Sequence, residues 1–203
     1  MPRADSNREA SPPPDSFQPR SRADWRKWLA KHHTRNEGVW VVTFRRGAGE
    51  TIVGYDDLVE EALCFGWIDS RPRKLDERRT MLWFSPRKPK SAWSRPNKER
   101  VDRLVAAGLM TSAGQAKIDA AKRDGTWTKL DAVENLEVPD DLARALASLP
   151  PAAENFAAFP RSAKRGILEW IAQARQPATR TKRIDETARL AQVNQRANQW
   201  RPK

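Results

Sequence analysis

The residues Arg87-Lys88-Pro89-Lys90-Ser91-x-Trp93-Ser94-x-x-Asn97 place three cations, an indole and three polar side chains within one short stretch. Prolines on either side of Lys88 stiffen the chain, the cations can hold an anion, and Trp93 supplies a flat stacking face. Ser94 is placed to open a helix, whose first free N–H groups would add to an anion site. Upstream, Trp67-Ile68-Asp69-Ser70 brings a second indole and a carboxylate. Trp67–Ser70 and Met81–Ser85 read as neighbouring antiparallel strands, so the start of one lies beside the end of the other. This connectivity predicts that Trp67, Asp69, Arg87, Trp93, Ser94 and Asn97, with Lys90 near them, converge on one partly open pocket. Its floor would be positive, its walls the two indoles, and its guest a phosphate or carboxylate. The same residues also admit a structural account, in which Trp93 fills the core, Ser94 is only a cap, and Arg87 pairs with Asp69 or Glu61.

Reactive chemistry is harder to assemble. Asp69-Ser70 could offer a base or a nucleophile, but no partner is evident. The two histidines, His32 and His33, sit in no catalytic pattern, and His32 shares a helical face with Trp25, Trp28 and Leu29, which suits a core histidine. The single cysteine, Cys64, lies in Ala62-Leu63-Cys64-Phe65 and reads as a small buried hydrophobe, so no disulfide is expected. Gly47-x-Gly49 is a hairpin turn without the helix that a dinucleotide loop needs. No catalytic residue is assigned, and neither a metal nor a cofactor is expected. Binding is favoured over catalysis.

The elements that must carry these side chains follow from periodicity. Ser21 caps a helix from Arg22 to His33 with Trp25, Trp28, Leu29 and His32 on its inner face. Val39–Phe44 is β-branched and aromatic, a strand, and Thr51–Val53 reads as a short second one. A helix from Gly54 to Phe65 ends at Gly66. The chain then forms the two strands, joined by a basic loop from Arg71 to Arg79. Helices follow from Ser94 to Gly108 and from Thr111 to Asp124. An acidic linker, Leu130 to Glu137, precedes helical segments only, the last running from Arg180, capped by Thr179, to Arg196. The reading is α+β: a disordered tail over residues 1–20, a small antiparallel sheet packed by helices over 21–130, and an all-helical module over 131–203.

Charge bears on partners. The chain carries a net charge of +12, and between Arg71 and Lys98 there are ten Lys or Arg against Asp76 and Glu77 alone. That balance favours an anionic ligand, an acidic protein surface or nucleic acid. No apolar run approaches the ~20 residues of a membrane span, and the Pro- and Ser-rich N-terminus has no secretory core, so a cytoplasmic location is expected. Nothing in the pattern fixes an oligomeric state.

The words Ala62-Leu63-Cys64-Phe65-Gly66-Trp67-Ile68-Asp69-Ser70 and Phe84-Ser85-Pro86-Arg87-Lys88-Pro89, with Ser91-x-Trp93-Ser94 and Asn97, resemble the bacterial YdeI/OmpD-associated, or bacteriocin-protection, proteins. The C-terminal words Pro139-x-Asp141-Leu142, Trp170-Ile171-x-x-Ala174 and Thr179-Arg180-x-x-Arg183-Ile184 extend that resemblance. It implies a protection or antimicrobial-resistance role and, through the family's name, an envelope association. Three functions follow: a non-enzymatic binding protein of the bacteriocin-protection type; a nucleic-acid binder using Arg71–Lys98 and the basic C-terminal helix; and a small enzyme acting on an anionic metabolite at Asp69, Arg87 and Ser94.

Overall fold

A computed structural model describes residues 10–45, 47–48 and 53–199. The chain divides into two compact units, Met1–Trp127 and Thr128–Lys203, and the fold is α+β.

The first unit is a four-stranded sheet backed by helices. Its elements are β1 (Ser16–Phe17), α1 (Arg22–His32), β2 (Val39–Phe44), α2 (Tyr55–Cys64), β3 (Trp67–Lys74), β4 (Arg79–Pro86), α3 (Arg95–Ala106) and α4 (Ser112–Arg123). Ser21 caps α1, its hydroxyl accepting from the Asp24 amide at 3.1 Å. Trp25 and Leu29 are fully buried, and the Trp25 indole donates to the Leu58 carbonyl at 3.0 Å, which seats α1 on α2. The strand order is β1-β2-β4-β3. Along β2 and β4, Val39, Val41 and Phe84 enter the core, while Trp40 and Trp83 pair on the opposite face, where Val42 and Met81 are also buried.

Three expectations need correction. The sheet is mixed, because β1 pairs with β2 in parallel, Ser16 beside Trp40 and Phe17 beside Val41. Disorder over residues 1–20 fails for residues 10–20: Phe17 stacks on Trp25 and Trp28, and the Arg79 guanidinium donates to the Ala10 carbonyl. One large apolar side chain and a free strand edge are enough to fix this segment. Residues 1–9 lie outside the described residues. The basic loop is shorter than expected, since Arg71–Lys74 continue β3 through a bulge between Asp69 and Pro72, and Arg79 already belongs to β4. Thr51 and Ile52 of the expected second strand also lie outside the described residues; Val53 is buried and is not in a strand.

The second unit holds α5 (Asp131–Glu134), α6 (Asp140–Ala147), α7 (Ala152–Ala158), α8 (Arg161–Ala172) and α9 (Pro177–Gln192). Leu142, Leu146, Phe156, Ile167, Ile171, Ile184 and Ala188 make its interior, with α6, α7 and α8 all packed on α9. The acidic stretch 130–137 is more than a linker. It contains α5, and its buried Glu134 meets the Arg165 guanidinium at 2.9 Å. α9 starts at Pro177, three residues before the expected Arg180, because proline at the first position needs no amide partner. No helix among the described residues is long and apolar enough to cross a membrane.

Candidate functional site

Gly66 joins α2 to β3 at φ 73°, a left-handed conformation that glycine adopts freely. A Cβ there would lie 2.7 Å from the Lys117 side chain, so the absent methyl is also what lets α4 approach. The Gly66 carbonyl accepts from the Arg87 amide at 2.9 Å, fixing the point where β4 leaves the sheet. Pro86–Ser91 then arches over to α4, with Lys90 held at φ 61°.

Under this arch is a cavity of about 90 Å³ lined by Arg87, Lys88, Pro89, Lys90, Ser91 and Trp93 from the arch. Lys117, Ala120, Ala121, Asp124 and Thr126 complete it from α4 and the turn beyond. It is small beside the several hundred Å³ of a typical cofactor or drug site, and suits a group of a few atoms. Four of its lining residues are cations and one is an acid. That acid, Asp124, accepts from the Thr126 hydroxyl at 2.5 Å and from the Thr126 amide at 3.0 Å. These bonds, with a smaller contribution from the Lys90 charge, hold its carboxyl below the usual carboxylate range.

Arg87 is the unusual member. It is only 5% exposed, its guanidinium carbon lies 3.7 Å from the Trp93 ring centroid, and one Nη donates to the Ala92 carbonyl at 2.7 Å. No carboxylate among the described residues reaches it. Both acids that could have paired with it are engaged elsewhere: Glu61 with Arg22 and Arg26, and Asp69 with the Tyr55 hydroxyl at 3.0 Å. Burial therefore pushes the guanidinium down to about 10, against a weak opposing pull from the more distant Asp69 charge. A buried cation that donates to one carbonyl and meets no carboxylate is a poor structural element and a good anion receptor. Behind it Trp93 tilts against Trp127, ring centroids 5.0 Å apart, and Lys122 stands 5.3 Å from the Trp127 ring.

Arg87, Lys90 and Trp93 therefore share one cavity, and the other four residues of the expected pocket do not line it. Trp67 is fully buried in the core, its indole donating to the His33 carbonyl at 3.0 Å. Asp69 and Asn97 belong instead to a surface cluster: Asp69 accepts from Tyr55, Arg100 lies 5.9 Å from the Tyr55 ring, and Arg100 donates to the Asn97 side chain at 3.0 Å. Ser94 occupies the cap position of α3 with no side-chain cap bond, so its hydroxyl neither caps nor lines the site. The register explains the separation. Trp67 is opposite Pro86 and shares the core face with Phe84, so its ring turns inward before the arch begins. Lys117, Asp124 and Thr126 were not foreseen. Lys117, Ala120, Ala121 and Asp124 do recur at i, i+3, i+4 and i+7, one helical face with small residues between charges, and that signal was available.

The C-terminal helix is not the free basic surface that its composition suggests. Arg180 forms a bidentate pair with Asp141 at 2.7 and 2.9 Å, and Arg183 donates to the Trp170 carbonyl. Its outer side alternates Lys182 and Arg189 with Asp185 and Glu186, a solvated helical face.

Comparison with known families divides the chain much as its contacts do. Residues 135–193, from just before α6 to just past α9, match the model described as Bacteriocin-protection, YdeI or OmpD-Associated. This segment is similar to that family. Residues 17–117, which include the tryptophan-rich words and the arch, match a model described as Domain of unknown function (DUF8412). The cavity thus lies outside the segment that matches the OmpD-associated model. No curated protein and no solved structure matches the chain.

Proposed function

We propose that this is a non-enzymatic binding protein of the bacteriocin-protection type, in which the Arg87 cavity recognises a small oxyanion. The group is a phosphate or carboxylate, free or carried on an acidic partner surface. The observation that carries this reading is the Arg87 guanidinium, nearly fully buried and without a carboxylate partner among the described residues. Such a charge is offset when an anion enters, and Lys90 and Lys117 stand where they would share it. The OmpD-associated segment supports the protection role, and the cavity supports the chemistry of the ligand.

Thermal melts test it. At matched ionic strength, phosphate or sulfate should raise the melting temperature of the wild type over chloride by roughly 3 °C, since ligand at about ten times its Kd adds ~1.4 kcal/mol. Arg87→Met should abolish the shift and Lys90→Ala should reduce it. No shift in the wild type, or an equal shift in Arg87→Met, rejects the cavity as the site.

A further inference from the structure

We infer that the face of the sheet turned away from the core docks single-stranded nucleic acid. Trp40 and Trp83 stand directly opposite each other on β2 and β4, ring centroids 5.2 Å apart at 66°, and both are half-buried. Further along that face Val42 and Met81 are buried, so the open part is the end that carries Trp40 and Trp83. Trp83 is held from beneath, because its indole lies so close over Gly38 that a Cβ there would be 2.5 Å from the ring. A fixed, partly open indole pair is a stacking surface with little conformational entropy left to lose.

Cations frame it. Arg71 lies 5.9 Å from the Trp83 ring centroid, and Arg73 is exposed along β3. The two nearby acids are already committed, Asp76 to Arg79 and Glu77 to Lys74. Arg71 and Arg73 meet no carboxylate within ion-pair reach among the described residues. This leaves an indole pair with excess positive charge along one edge. Its complement is a polymer with a negative charge at every step and flat bases free to leave the strand axis. A duplex would offer the phosphates but keep its bases stacked inside. None of these residues lines the Arg87 cavity, so this surface stands apart from the proposed anion site.

The test uses the full chain and a fluorescein-labelled oligothymidylate of about twelve nucleotides, read by anisotropy at about 50 mM salt and across a salt series. Binding is expected, with Arg71→Glu/Arg73→Glu roughly tenfold or more weaker, and Arg71→Ala/Arg73→Ala lowering the slope of log K against log salt by about 1.4. Arg87→Met should bind the oligonucleotide like the wild type, which separates this surface from the cavity. An abasic strand of equal length and a duplex should each bind roughly tenfold more weakly, because stacking contributes ~1–3 kcal/mol per base. The inference is overturned if oligothymidylate does not bind, if inorganic polyphosphate or the abasic strand binds as well as it does, or if the charge-reversed variant binds unchanged.

Discussion

The first unit buries three charged side chains, Glu61, Arg79 and Arg87, and the first and last of these are treated in opposite ways. Glu61 on α2 is 3% exposed and receives Arg22 at 2.6 Å and Arg26 at 2.7 Å, and Arg22 reaches on to Asp57 and Glu60. Arg87 is 5% exposed and receives one carbonyl and one indole face. Burial is nearly equal, so burial alone says nothing about role. What differs is neutralisation. The Glu61 carboxylate is satisfied by two partners from α1 and ties that helix to α2. The Arg87 guanidinium has been desolvated without a counter-charge, beside a cavity of the right sign. Paired, a buried charge holds elements together; unpaired, it waits for something to arrive.

The sharpest way to break this contrast is Glu61→Lys, which puts a third cation into the Arg22–Arg26 cluster. It should destabilise the protein by about 4 kcal/mol in guanidinium denaturation, and a loss under about 1 kcal/mol would mean that solvent already screens the network. Arg87→Met should do far less. The apolar isostere loses a cation–π contact and one hydrogen bond but relieves a desolvated charge, so stability should change by no more than about 1 kcal/mol in either direction. A drop above about 3 kcal/mol would give Arg87 the structural role that Glu61 has.

The pH dependence of the same pair has a definite sign. The guanidinium proton is held less tightly in the folded chain, near 10, than at its higher ordinary value. Between those values the unfolded chain binds more protons, so wild-type stability relative to Arg87→Met should rise as pH climbs through about 10. A flat difference curve would contradict the buried, unpaired cation.

Lys90→Gly sharpens the comparison from the other side. Its φ of 61° suits glycine, so the variant should be about 0.5 kcal/mol more stable while its anion-induced melting shift shrinks. Equal changes of the same sign would show that Lys90 serves only the arch. The smallest effect is expected in the second unit. Arg180 holds the Asp141 carboxyl below its ordinary range, so this contribution is present above that range and lost as pH falls through the folded value. The pair is more than a third exposed on the Asp141 side, and Asp141→Asn should cost no more than about 1 kcal/mol near neutral pH, seen as faster hydrogen exchange in α6.

The sequence made the fold legible where periodicity and caps agreed: Ser21 with Trp25 and Leu29, the Val39–Phe44 strand, and the stripe Ile167–Ile171. It misled where a residue's role depended on a distant partner. Phe17 read as an isolated hydrophobe because nothing local shows that Trp25 and Trp28 leave a place for it. Asp69 and Arg87 looked like partners by strand adjacency, but Tyr55 arrives from α2 and takes the carboxylate first. The arch was readable from Pro86 and Pro89 and the cations between them. Its opposite wall, Lys117 and Asp124, is far along the chain, and the glycines at 66 and 114 admit α4 so closely.

The short parallel pairing of Ser16–Phe17 with β2 bears on how this chain can be cut or fused. A sheet edge with unpaired N–H and C=O groups is a template for a strand from another molecule, and β1 closes that edge. Shortening the chain to begin at Ser21 would remove Phe17 from its aromatic stack and reopen the edge at the same time. The product should then be prone to exchange strands with its own copies, and its first symptom would be soluble oligomers that grow with protein concentration, ahead of any change in helix content.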